Sequence, residues 1–270
     1  MVSTDKNIIF CLSPGRAGTN LLTNLLSLAR DTCALHEPSP TFRKYVETVR
    51  ECAEETEKFV ANVKIPDILV RTNSNYVETS HLFGKGPFEA FIKLGLPFRM
   101  MILNRNPRDV ARSHWRINDI PYRTKKKQMY LLSPDKSGVV PPKGWRKMSD
   151  YQLCFWYCLE VERRKPIYSR ICKENGRPVV ETSLRDCLSY SKFRLVTDAL
   201  GLQLPEDAEA KHAEMTAEKV NRKAKYLPKL MLRSLDDQER EVWEALGEEG
   251  KALEAQVAER YGRTTETARM

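Results

Sequence analysis

Four short groups of residues could do chemistry. The first is "FCLSPGRAGTNLL", residues 10–22, in which an apolar run stops, Gly15 and Gly18 bracket Arg16, and an amphipathic run begins at Thr19. A strand, a glycine turn and a helix start aim backbone N–H groups and the positive end of a helix dipole at one spot. The glycines allow close approach, and an arginine can fork onto phosphate oxygens. Arg16, Ala17, Gly18, Thr19 and Asn20 therefore form a candidate anion cradle, with an ordinary strand–helix turn as the plainer alternative. The Gly-Lys-Ser/Thr ending of a nucleoside-triphosphate loop is missing. After Gly18 the chain offers Thr19-Asn20 in place of the γ-phosphate lysine and the magnesium-binding Ser/Thr, so no metal is expected.

The second group is "NRNPRDVARS", residues 104–113, where Arg105 follows the apolar Met100–Leu103 and Ser113 comes eight residues later. An arginine at a strand end and a serine two turns into the next helix can clamp an anion between them; the alternative pairs Arg105 with Asp109. The third is His36-Glu37-Pro38, after Thr32–Leu35. Glu37 is a candidate general base beside Arg16 if the first two strands are neighbours, or else a residue that orients Arg16 or sits in a surface turn. The fourth is "YVETSHLF", which puts His81 just past another strand candidate. A near-neutral imidazole suits hydroxyl deprotonation, and a capping or buried structural histidine is the alternative. His114, next to Ser113, reads as a packing or substrate-contact residue.

Elements must position these groups. Short apolar runs at Asn7–Leu12, Thr32–Leu35, Arg99–Asn104 and Pro178–Glu181 read as buried parallel strands. Ile68–Arg71 and Tyr76–Thr79 are two further candidates, of which one is expected in the main sheet. Helical spacing follows Thr19, spans 41–60 and Pro87–Leu94, and opens again at Pro107, where proline is tolerated in a first turn. Tyr151–Ile171 is helical, with Pro166 expected to kink or divide it. Phe193, Val196 and Leu200 mark a helix stopped by Gly201, and 236–260 a charged amphipathic one. Alternating strands and helices predict an α/β fold, a P-loop-type parallel sheet flanked by helices in one domain. Its ligands would sit at the carboxyl ends of the strands. The domain is expected over 1–235, with the charged helix of 236–270 packed on it. Residues 118–148 are broken by proline and glycine. They read as a lid or substrate-binding loop that carries Lys125–Lys127, Lys143, Arg146 and Lys147 beside Tyr122, Tyr130 and Trp145.

The 270 residues are 41% apolar, enough for a sizeable core, and carry a formal charge of +9 with a pI near 9.2. That balance suits anionic ligands. No nucleic-acid motif with interleaved aromatics is present. No run approaches the roughly 18–20 apolar residues of a membrane span, and the first residues lack a signal peptide's basic lead and cleavage site. A soluble cytoplasmic protein is the expectation, with a homo-oligomer compatible. Seven cysteines without a C-x-x-C pair demand neither disulfides nor zinc; Cys154 and Cys158, four apart, read as a buried helix face.

Taken together, "SPGRAGTNLL" and, some ninety residues on, "LNRNPRDVARS" resemble the PAPS-dependent sulfotransferase family. The loop looks most like the Gly-Arg-Ser-Gly-Thr-Thr variety of the bacterial, Golgi and tyrosylprotein branch, with Ala17 and Asn20 as departures; the cytosolic branch has a lysine there. The resemblance implies that residues 16–20 cradle the 5′-phosphosulfate of 3′-phosphoadenylyl sulfate (PAPS) and that Arg105 and Ser113 bind its 3′-phosphate. "SKFRLVTDALGL" (191–202) is similar to the family's helix ending in Leu-Gly-Leu. "KVNRKAKYL" (219–227) is similar to its basic nucleotide-covering segment, which would add Asn221 and Arg222, a solvated helix face being the alternative for both. Where the cytosolic branch has Tyr-Glu-Asp, this chain reads Glu181-Thr182-Ser183, so adenine contacts are not carried over.

The implied activity is sulfuryl transfer from PAPS to a hydroxyl or amine of a small-molecule or glycan acceptor, leaving PAP. Arg16 would act on the leaving group, and Glu37, as in the Golgi and tyrosylprotein branches, or His81, as in the cytosolic one, would act as base. The basic loop suits an acidic or glycan acceptor and its aromatics a phenolic or lipidic one. A P-loop kinase or other nucleotide-phosphate transferase, and a non-catalytic PAP- or anion-binding protein, are the competing expectations.

Overall fold

The computed structural model describes residues 6–46, 53–125, 130–217 and 233–262. In chain order the elements are β1 (Asn7–Leu12), α1 (Thr19–Leu26), β2 (Thr32–Leu35), α2 (Ala53–Phe59), α3 (Ile65–Leu69), β3 (Asn75–Glu78), α4 (Pro87–Lys93), β4 (Arg99–Asn104), α5 (Pro107–Arg116), α6 (Asp150–Glu174), β5 (Val179–Ser183), α7 (Leu184–Cys187), α8 (Tyr190–Ala199), α9 (Ala208–Ala217) and α10 (Leu235–Tyr261). One sheet of five strands runs β2-β3-β1-β4-β5, with every pair parallel. This is the α/β architecture that the alternation of elements predicts.

Strand β1 is central, so both of its faces need apolar cover. Ile8, Phe10 and Leu12 point into one cluster, where Phe10 stacks on Phe83 at 4.3 Å between centroids. Ile9 and Cys11 point into the other, against Leu22, Leu25 and Leu26 of α1. The period-two alternation explains why the strand reads as an unbroken apolar run. A third cluster joins α5, α6 and α10 through Val110, Tyr151, Phe155, Leu159, Val242 and Leu253.

Three expectations change. Residues 41–60 are not one helix: Phe42–Tyr45 form a 3-10 turn, and α2 passes through a π-turn at Val60–Lys64 into α3. Ile68–Arg71 is not a strand but the end of α3. Ile65 and Ile68 are buried while Val70 is 78% exposed, so the run is one face of a helix that Pro66 opens.

The third change is that Pro166 does not divide α6, which runs unbroken from Asp150 to Glu174. A proline inside a helix leaves the carbonyl four residues back without its donor. Here that carbonyl is Glu162 C=O, and Gln256 Nε2 of α10 donates to it at 3.1 Å. The helix therefore tolerates its proline because another helix supplies the missing hydrogen. Gln256→Ala is expected to destabilise the protein by about 1 kcal/mol, measured by urea denaturation. Adding Pro166→Ala, which restores the helix's own N–H, should recover most of that loss; additive losses would show the two are unconnected.

Helix α10 carries one non-helical residue, Gly247, at φ 62 and ψ −133. Just before it, Ala245 C=O accepts from Lys143 N–H at 2.8 Å, which docks the 118–148 segment on this helix. Cys154 and Cys158 both lie buried on α6, and burial raises both thiols well above their ordinary value.

Candidate active site

The carboxyl ends of β1, β2, β3 and β4 open on one cavity of about 1040 Å³, walled by Gly15, Arg16, Gly18, Thr19, Asn20, His36, Glu37, His81, Arg105, Ser113 and His114. Groups up to 99 residues apart in sequence thus share one space, with cationic residues at one end and a carboxylate–imidazole pair at the other. From the 118–148 segment, Asp119, Tyr130 and Leu131 complete the wall.

The cationic end begins where β1 stops. Gly15, Arg16 and Gly18 all hold positive φ, at 77, 53 and 91. Gly18 caps α1, and Leu22 N–H returns to its carbonyl at 3.1 Å, so the amides between them are the unpaired first donors of the helix. No acidic residue stands in that first turn. Arg16 Nε donates to Ser113 Oγ at 3.1 Å, and Arg105 Nη1 donates to Arg16 C=O at 2.5 Å. The loop and the 105–113 segment are therefore knit together, and Arg105 does not pair with Asp109 as one reading allowed. Behind the loop, Pro14 C=O accepts from Tyr157 OH at 2.6 Å and lies 3.3 Å from His114 Nε2. Buried His114 holds the loop in place as well as walling the cavity. Ala17 does not wall it: its methyl is fully buried in the core, so any contact made there is through its backbone.

At the other end, Glu37 follows β2 with φ 47. Its Oε1 lies 3.1 Å from His81 Nε2 and 3.8 Å from His36 Nε2. His81 Nδ1 lies 2.5 Å from Lys85 Nζ, which also donates to Tyr130 C=O at 2.7 Å. Burial would raise the Glu37 carboxyl, but the His81 hydrogen bond and the surrounding positive charge outweigh it and bring it down to about 2. Burial, then the charge of Lys85, push the His81 imidazole down to about 4 against the opposing pull of Glu37. At neutral pH the pair is a carboxylate beside a neutral ring. Its backbone is anchored from below, where buried Lys64 reaches Glu78 of β3 at 2.7 Å and Pro40 C=O at 3.0 Å.

The fold has a solved counterpart. The chain is similar to the sulfotransferase domain from the Synechococcus PCC 7002 olefin synthase, with a TM-score of 0.50, 12% identity and 98% of each chain covered. At that identity the likeness is one of fold. No protein-family model matches the sequence, and no curated protein sequence matches it.

On this fold, one spatial expectation is corrected. Arg16 and Glu37 do not follow neighbouring strands, because β3 lies between β1 and β2. That insertion puts His81, which follows β3, against Glu37, so the two rival base candidates touch. Asn221, Arg222 and the rest of 219–227 lie outside the described residues, as do Lys126 and Lys127. Sequence reading missed Lys85, whose glycine neighbours suggest an exposed turn; the only hint was its four-residue spacing from His81. It missed Asp119 too, one of two acids in an otherwise basic segment.

Proposed function

We propose that the chain is a PAPS-dependent sulfotransferase that moves a sulfuryl group from PAPS to a hydroxyl or amine of an acceptor. One observation carries the reading: Arg16, Ser113 and Arg105 converge at one end of a cavity whose other end holds Glu37 and His81. The likeness of the fold to a sulfotransferase domain supports it. The residues fit such a nucleotide. Two arginines, the first amides of α1 and the Ser113 hydroxyl suit its two phosphate positions. The volume, just above the roughly 300–1,000 Å³ usual for ligand sites, leaves room for an acceptor.

In the proposed reaction the acceptor oxygen attacks sulfur in line. A new S–O bond forms, the S–O bond to the 5′-phosphate breaks, and the acceptor proton passes to the base at the Glu37 end. Charge grows on the departing phosphate oxygen. Arg16 and the amides of residues 16–20 meet that charge already in place, which lowers the barrier without reorganisation. Arg105 and Ser113 bind the 3′-phosphate, so binding energy far from sulfur fixes its position.

Thermal-shift titration tests the reading. At a hundredfold excess over its Kd, a ligand stabilises by about 2.7 kcal/mol, or about 5–10 °C for a chain of this size. PAP is expected to give such a shift and ADP, which lacks a 3′-phosphate, little. Arg105→Ala should weaken PAP by about 10- to 100-fold, the worth of a charge-assisted hydrogen bond. Equal shifts by ADP and PAP would favour a nucleotide-phosphate transferase. A PAP shift with no turnover over an acceptor panel would favour a binding protein.

A further inference from the structure

We propose that Lys85 is a positioning residue of this centre: it holds His81 with its single ring proton on Nε2, so that His81 donates to Glu37 and leaves Glu37 as the base. Lys85 is 1% exposed and lies between three groups. His81 Nδ1 is at 2.5 Å, Tyr130 C=O at 2.7 Å and the Tyr157 ring face at 4.9 Å from its centroid. Burial pushes the Lys85 amine well below its ordinary value, against the opposing charge of Glu37. Charged, it has three hydrogens and no lone pair, one each for the carbonyl, the π-face and Nδ1. Neutral, it still has one hydrogen for the carbonyl and one for Nδ1, and with Nε2 protonated on the Glu37 side Nδ1 is the acceptor.

The other side of the ring fixes that proton. Glu37 Oε1 lies 3.1 Å from Nε2, and an ionised carboxylate only accepts. A bare Nε2 would set two lone pairs against each other, so Nε2 carries the proton. The remaining neighbours do not alter this. His36 Nε2 lies 3.8 Å from Glu37 Oε1, Tyr130 stacks on the ring at 6.3 Å, Gly15 packs against it, and His114 is buried and neutral. Both nitrogens of His81 are thereby occupied, and the ring has no site left for an acceptor proton. Without Lys85, Nδ1 is free to bind a proton. The ring then becomes an imidazolium that pairs with Glu37 and makes the carboxylate a poorer base.

The tautomer is a property of the protein alone; only its consequence for turnover rests on the sulfotransferase reading. Two-bond 1H–15N correlation spectra of 15N-histidine-labelled protein report the state of each of the four histidines, with His81→Gln assigning its signal. At pH 7 the parent protein is expected to show the neutral Nε2–H form at His81. An Nδ1–H form or an imidazolium there would overturn the proposal, with no variant required. In Lys85→Met, of similar length but without a donor, burial still holds the ring down but the charge of Lys85 is gone, so the His81 signals should move toward imidazolium at higher pH than in the parent. In Lys85→Gln, which keeps an N–H, they should move less. Where sulfuryl transfer is measured, Lys85→Met should lower kcat by about 10²-fold and raise its acid limb, with little change in the KM for PAPS. Unchanged His81 spectra in Lys85→Met would refute the assignment even if turnover fell. A parent spectrum of the expected form would uphold it even if PAP failed to bind.

Discussion

Arg16→Gly is expected to lower kcat by about 10²–10³-fold, the usual effect of removing one preorganised donor from a developing oxyanion, while leaving the protein about as stable as its parent. The two halves of that result come from one feature. Arg16 holds φ 53, a left-handed conformation that costs a side-chain-bearing residue about 1–2 kcal/mol. Glycine adopts it freely but adds about 0.5–1 kcal/mol of backbone entropy to the unfolded chain. The effects oppose each other, so stability should stay within about 1 kcal/mol. The backbone carbonyl that accepts from Arg105 survives the change, and Ser113 Oγ, half-buried, regains a partner in water. Only the guanidinium is lost. Chemical denaturation and steady-state turnover on the same preparation measure both halves. Turnover within a few-fold of the parent would remove Arg16 from the leaving-group role, whereas gross unfolding would mean that Arg16 holds the loop. Glu37 carries the same kind of strain at φ 47. Two side chains in uncommon backbone conformations at opposite ends of one cavity are what a site held in place by its scaffold presents.

The strand ends were legible because a buried parallel strand is a short apolar run and its chemistry stands immediately after it. Thr32–Leu35 followed by Glu37, and Met100–Leu103 followed by Arg105, needed nothing but neighbours in sequence. Strand order was not legible. The connection from β2 to β3 is a helical crossover of some forty residues, and no local pattern says on which side of β1 its second strand returns. The Glu37–His81 contact follows from that order alone and was hidden for the same reason. Pro166 misled because its missing donor is supplied by Gln256, ninety residues away. Lys85 escaped notice because a lysine between glycines is solvent-exposed in most sequences. Its burial is made by Tyr130, Tyr157 and His81, which converge only in three dimensions.

Glu37→Gln is expected to lower kcat by about 10²–10⁴-fold, the range for loss of a general base, and to do so without disturbing the fold. Glutamine keeps the length of the side chain and a carbonyl that can still accept from His81 Nε2. It cannot take the acceptor proton. His81→Gln should lower kcat less, because it removes the group that orients the carboxylate and spares the carboxylate itself. More than a tenth of the parent kcat in Glu37→Gln would sink the assignment. The pH profile adds a sharper test. Glu37 works ionised, so the rate is full above its pKa and falls as pH drops through it. In the free protein that value is about 2, with His81 at about 4. The acid limb of kcat/KM, which reports the free protein, should therefore lie at or below about pH 4. A bound polyanionic nucleotide makes it harder to keep negative charge on Glu37, and it favours protonated His81, so it raises both pKa values. The acid limb of kcat, which reports the complex, should lie at higher pH than that of kcat/KM. Stability follows the same groups with its own signs. Glu37 is depressed from 4.5, so its contribution is present above that value and is lost as pH falls toward 2. His81 is depressed from 6.5, so its neutral form stabilises the fold above 6.5 and that contribution drains away between 6.5 and about 4. His81→Gln should flatten the loss of stability over that window and Glu37→Gln the loss below it. A kcat limb at lower pH than the kcat/KM limb would mean that the group titrating is not a carboxylate or imidazole facing the nucleotide's charge.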